Sequence, residues 1–185
     1  MVMDPTTLVG AAPPLDPEHV SSVLVAARLA ATALPAFPGP QPRSLAEAYA
    51  CQATGVRRWP DRVAGWKVGW IPTADQALFG EERLIGPIFA QHVQRVDVGQ
   101  APIDIGVFAG GFGAIEAEYA FCLGADAPAG KLAWTPAEAA AIVGSAHVAI
   151  EIASSPLASI NQLGAYVIIA DFGNNAGLLV GPALH

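Results

Sequence analysis

Ile115-Glu116-Ala117-Glu118-Tyr119-Ala120-Phe121 sets two carboxylates one residue apart inside an apolar, β-forming run. In a strand, side chains at i and i+2 share a face, so Glu116 and Glu118 point the same way. Carboxylates side by side on a half-buried face repel each other and lose hydration, a cost that a cation between them removes. A third acid lies in His147-Val148-Ala149-Ile150-Glu151-Ile152, whose alternation puts His147, Ala149 and Glu151 on one face. If the two strands are neighbours, Glu116, Glu118 and Glu151 converge on one hard cation, Mg²⁺ or Mn²⁺, held through oxygen. The competing reading is that each glutamate faces water on an edge strand or pairs with an arginine.

Outward from this stretch the chain divides by composition. Asp16-Pro17-Glu18 is an N-cap with proline in the first turn, and it opens a helix towards Leu34 with Val20, Leu24, Ala27 and Ala31 on one stripe. The proline-rich run Pro35 to Pro42 can only be a linker, and Ser44-Leu45-Ala46-Glu47 is a capping box for a second helix to Gly55. Residues 1–60 therefore read as a helical lead-in. From residue 61 the character is β-rich, with strands expected at Val63 to Trp70, Ile85 to Ala90, Val93 to Val98, Ile115 to Leu123, His147 to Ala153 and Leu178 to Val180. Thr135-Pro136-Ala137-Glu138 caps one further helix, to Val143. Few helices alternate with these strands, which predicts an α+β domain over residues 61–185 rather than a doubly wound sheet.

Composition narrows the function. A chain of 185 residues, 53% hydrophobic and 14% charged, can bury a core of its own. Its net charge is −7 and its nine Lys and Arg are scattered, which argues against nucleic-acid binding through phosphates. The apolar stretch from Val23 to Phe37 is broken by Arg28 and Pro35, so no membrane span is expected, and Asp4 stands where a secretory leader carries basic residues. Cys51 and Cys122 lack metal-ligand spacing and read as reduced thiols, consistent with a cytoplasmic protein.

Lys67 lies between Trp66 and Val68, with Gly65 and Gly69 beyond them. Such an apolar setting suits a lysine to proton transfer or to holding an anion, while the plainer reading is a snorkelling surface lysine. Gly110-Gly111-Phe112-Gly113 precedes a strand rather than a helix and reads as a turn, not a phosphate cradle. Ser145 or Ser155 with His147 lacks the strained elbow of a serine nucleophile.

Several of these segments occur together and in order. Gly65-Trp66-Lys67-Val68-Gly69, Gly86-Pro87-Ile88-Phe89-Ala90, the Glu116/Glu118 strand, Ala149-Ile150-Glu151 and Ala170-Asp171 before Gly181-Pro182 resemble the 2-keto-4-pentenoate hydratases of the fumarylacetoacetate hydrolase superfamily. The resemblance runs from about Ser44 to Pro182 and implies a mixed β-roll with a helical lead-in. It implies Glu116, Glu118 and Glu151 as ligands of Mg²⁺ or Mn²⁺ and Lys67 as the active-site lysine. Asp171 would orient substrate or a neighbouring side chain. The implied substrate is a small 2-hydroxy or 2-oxo dienoate from aromatic meta-cleavage. A decarboxylase of 2-oxo-dienedioates, an acylpyruvate hydrolase and a non-catalytic assembly subunit are the alternatives. Two departures stand out: Leu84 where some hydratases carry an acid, and Phe172-Gly173-Asn174-Asn175 where a polar residue often follows the aspartate. Family members also continue beyond the equivalent of His185, so the domain is expected to be incomplete at its C-terminus, and open sheet edges predict a homo-oligomer.

Overall fold

The computed structural model describes residues 13–184. Asp16 caps helix α1 (Pro17–Leu29), its side chain accepting from the Glu18 and His19 amides at 3.0 and 3.2 Å. The helix stops five residues short of the expected Leu34. Ala31 takes a left-handed φ of 51°, and the Leu34 amide is donated to the Pro156 carbonyl instead, at 2.8 Å. Helix α2 (Leu45–Arg58) starts at Ser44 as expected, but only half of the capping box closes. Ser44 accepts from the Glu47 amide, while the Glu47 carboxylate reaches back to the Arg43 amide.

Strands β1 (Val63–Trp70) and β2 (Arg83–Phe89) form an antiparallel pair spanned by helix α3 (Thr73–Phe79). The other sheet has the order β3-β6-β5-β4, from β3 (Val93–Arg95), β4 (Phe112–Leu123), β5 (Val143–Ser155) and β6 (Asn175–Ala183). Strand β3 runs parallel to β6, and the remaining pairs are antiparallel, so the sheet is mixed. Helix α4 (Pro136–Ala141) begins with the full Thr135/Glu138 capping box, and α5 (Ile160–Leu163) and α6 (Ala165–Ala170) lie between β5 and β6. The α+β expectation holds. Helices α3, α5 and α6 were not expected from the sequence; the apolar Tyr166-Val167-Ile168-Ile169 run has no periodicity of its own to separate a buried helix from a strand.

The core joins the two ends of the chain. Val20 and Leu24 of α1, Cys51 of α2, Leu157, Ile160 of α5, and Val167 and Ala170 of α6 form one buried cluster. Arg28, on α1, enters this interior and meets Asp171, with its Nε 2.6 Å from Oδ1 and Nη2 2.8 Å from Oδ2. The same guanidinium donates to the carbonyls of Ser154, Asp171 and Asn175, so each of its three nitrogens has a partner. Its charge also lies over the rings of Phe108 and Phe172.

One surface stays apolar. On the outer face of β4, Ile115, Tyr119, Phe121 and Leu123 are 62–70% exposed, beside Val148 and Ile150 of β5, and the 12-residue strand β4 has no partner on its far edge among the described residues.

Arg28→Met should strand the Asp171 carboxylate in the interior and cost on the order of 3–5 kcal/mol of stability, read as a fall in the urea unfolding midpoint. Replacing both partners with apolar residues should recover part of that loss.

Candidate metal centre

Strand pairing builds the acidic site. Glu116 on β4 lies directly opposite Glu151 on β5, and Glu118 lies opposite Ala149, the next residue on the same face of β5. One carboxylate oxygen from each of Glu116, Glu118 and Glu151 comes within 4.8 Å of the others. Two oxygens on opposite sides of one ion are separated by about 4.2 Å for Mg²⁺ and about 5 Å for Ca²⁺, so the cluster is of a size to close on a single hard cation. All three donors are oxygens, which suits that class of ion. The sequence thus anticipated the convergence, but not its asymmetry. Glu151 lies on the central strand and is 2% exposed, whereas Glu116 and Glu118 are on the edge strand and solvent-facing.

Glu151 is the most constrained of the three. Asn175 Nδ2 donates to its Oε1 at 2.9 Å, and Lys67 Nζ lies 3.2 Å from its Oε2. Burial pushes the Glu151 carboxyl above its ordinary value, with the negative charge of Glu116 adding to the rise, while Lys67 and the Asn175 amide act in the opposite direction. Lys67 reaches the site because β1 alternates: Lys67 faces inward while Trp66 and Val68 face solvent. It is therefore not a snorkelling lysine. Its side chain is 13% exposed and its ammonium is paired with a ligand of the proposed ion.

Two glycines make this placement possible. Gly86 is the register partner of Lys67, and a Cβ there would lie 2.3 Å from the Phe172 carbonyl oxygen. Gly173, at φ 65°, approaches the Gly86 Cα, and a Cβ on it would lie 3.1 Å from Lys67 Cδ. The turn after α6 can thus lie flat on the β1/β2 pair, which brings Asn175 to Glu151. The same turn carries Asn174 Oδ1, buried and without a hydrogen-bond partner among the described residues.

Asp171 sits behind the carboxylates rather than among them. Both its oxygens are engaged, by Arg28 and by the Ser155 hydroxyl at 2.6 Å. Of the two roles the resemblance allowed, orienting a neighbouring side chain is the one this geometry serves. Ser155 is committed to Asp171 and the Leu157 amide. Ser145 Oγ lies 2.9 Å from His147 Nε2, while His147 Nδ1 meets the Gly181 carbonyl at 2.8 Å. His147 is thereby held by backbone instead of a carboxylate.

The sequence did not single out Arg28 or Asn175. Arg28 was noted only as a charge interrupting an apolar stretch, which was the available signal that it needed a buried partner. A cavity of about 40 Å³ lies beside Arg28 and Asn175, walled by Trp59, Phe89 and Phe172; it is too small for a dienoate. A larger one of about 390 Å³ is lined by Pro13, Pro14, Pro17 and Pro40 between the starts of α1 and α2. Neither includes the carboxylates, of which Glu116 and Glu118 face solvent and Glu151 is buried.

Solved structures share this architecture. The 4-oxalocrotonate decarboxylase from Pseudomonas putida G7, complexed with magnesium and adipate, superposes with a TM-score of 0.64 at 18% identity over 91% of this chain. The same enzyme complexed with calcium and acetate gives 0.62, also at 18% identity and over 91% of this chain. The fold is shared. It is the α+β fold of the fumarylacetoacetate hydrolase C-terminal domain type. This chain spans 64% and 63% of the length of those two decarboxylase chains. No family model matches the sequence, and no curated protein matches it either. Among the described residues, no helix is long and apolar enough to cross a membrane.

Folded Glu151 binds its proton more tightly than the unfolded chain does, so the metal-free protein should lose stability as pH rises from the ordinary 4.5 through the raised value. Glu151→Gln should flatten that decline in urea midpoints taken across the same window. In the wild-type chain, acidification through the raised value should weaken divalent-ion binding, because the proton competes for the carboxylate.

Proposed function

We propose that this chain carries the metal-binding part of a hydratase that converts 2-hydroxypenta-2,4-dienoate, or a related dienoate, to a 4-hydroxy-2-oxo acid. The observation that carries the reading is Lys67 Nζ at 3.2 Å from Glu151, inside a cluster of three carboxylates on one sheet face. Three carboxylates and one ammonium leave an excess of negative charge, which a divalent cation offsets. Glu116, Glu118 and Glu151 would hold Mg²⁺ or Mn²⁺, which supplies electrostatic stabilisation for charge developing on the substrate's carboxylate and 2-oxygen.

The protein's own groups do the rest. Lys67 Nζ lies against Glu151 with its stem beside Gly173 and the β1/β2 pair, which places it to pass a proton to bound substrate. In the hydration, the 2-hydroxyl loses its proton and C5 gains one, giving the α,β-unsaturated ketone. Water then adds its hydroxyl at C4 and its proton at C3. The solvent-facing side of Glu116 and Glu118 leaves the water a route of entry.

A second reading is decarboxylation of a 2-oxo-dienedioate, favoured by the two decarboxylase structures that share the fold. Both reactions begin by moving charge onto the 2-oxygen and differ in the group that leaves or adds. The open β4 edge and its apolar face support a homo-oligomer, and the scattered Lys and Arg support a small-molecule substrate rather than nucleic acid.

Lys67→Met keeps the stem and removes the proton. It should cut turnover of 2-hydroxypenta-2,4-dienoate by about 10²–10⁴-fold while leaving Mn²⁺ binding in place. Loss of dienol absorbance follows the reaction. Release of carbon dioxide from a dienedioate, with no 4-hydroxy product from the monoacid, would replace the hydratase reading by the decarboxylase.

A further inference from the structure

We infer that Asn175 is a positioning residue for the metal: its amide fixes the orientation of the Glu151 carboxylate towards the cation. The inference rests on the metal reading above and concerns a residue outside the carboxylate cluster.

Three observations carry it. Asn175 Nδ2 is 2.9 Å from Glu151 Oε1, and among the described residues no other group donates to that oxygen. The amide can sit only one way round, because Nδ2 also faces the Gly177 carbonyl at 3.4 Å, and a flipped amide would turn Oδ1 against both acceptors. The residue is also fixed from behind. Its own carbonyl accepts from Arg28 Nη1 at 2.9 Å, and Arg28 is locked in turn on Asp171 and the Ser154 carbonyl.

The consequence is an uneven site. Glu116 and Glu118 have no side-chain hydrogen-bond partner among the described residues and face solvent, so each must be ordered by the ion itself. Glu151 alone is oriented beforehand. A neutral amide is suited to that task, since it fixes the carboxylate without placing a second positive charge beside the cation. Asn175 thus connects the interior Arg28–Asp171 pair to the metal through one backbone and one side-chain hydrogen bond.

The test is calorimetric titration of Mn²⁺ into the metal-free full chain, for wild type, Asn175→Ala and Asn175→Ser, with circular dichroism to show that each is folded. Asn175→Ala should bind Mn²⁺ at least tenfold more weakly at unchanged stoichiometry, in line with loss of an outer-sphere partner. The serine variant, which keeps a shorter donor, should lie between. The paramagnetic resonance line of bound Mn²⁺ at saturating ion should also change in the alanine variant, a shift that a general loss of stability would not cause. A folded Asn175→Ala chain that binds Mn²⁺ within twofold of wild type, with an unaltered resonance line, overturns the inference. If the alanine variant does not fold, the serine variant decides by the same twofold limit. Failure of the wild-type chain to bind Mn²⁺ would instead overturn the metal reading, and the positioning role with it.

Discussion

The ion pair between Arg28 and Asp171 holds the two ends of this chain together. Both side chains are almost completely removed from water, and a guanidinium so placed is tolerable only when all its donors are used. Here they are used on a carboxylate and three backbone carbonyls. The pair therefore does more than neutralise charge. It fixes the end of β5 at Ser154, the turn after α6 at Asp171 and the start of β6 at Asn175 relative to one helix. Glu151 lies on the same strand as Ser154, and Asn175 donates to it, so the buried side of the carboxylate face is tied to this interior contact.

The carboxylate face presents a graded environment from the core outward. Glu151 is buried, hydrogen-bonded and paired; Glu116 and Glu118, on the neighbouring edge strand, are hydrated. Burial opposes ionisation of Glu151, and Lys67 and Asn175 offset that penalty. A cation bound here would gain one preformed ligand from the protein interior and two adaptable ones from its surface. Lys67, meanwhile, reaches Glu151 from β1, so it is fixed by a different pair of strands from the carboxylates.

Local patterns made much of this legible. Capping residues located the starts of α1, α2 and α4, β-forming composition located β1, and shared-face spacing located β4 and β5. Alternation also put Glu116 with Glu118, and Glu151 with His147, on shared faces. Helix ends were less legible: α1 stops at Leu29 because Leu34 is claimed by Pro156, a contact more than a hundred residues away in sequence. Helices α5 and α6 were missed because they are short, four and six residues, and take their conformation from the core they enter. Arg28 was visible as an anomaly, without any local indication of its partner 143 positions later.

Residue types and their period, then, determined on their own which side chains could face one another: the acids of β4 on one face and Glu151 on one face of β5, with Lys67 left between an active-site and a snorkelling reading. Periodicity is a property of neighbouring residues, and a sequence displays it directly. Only the tertiary structure decided that β4 and β5 are adjacent in the register that sets Glu116 opposite Glu151, and that Gly86 and Gly173 let a distant turn bring Asn175 to the same carboxylate. It also settled that Asp171 belongs to Arg28. Pairing between strands and between buried charges is fixed by packing across the whole chain, where one missing Cβ or one unmet donor selects among arrangements that are locally equivalent.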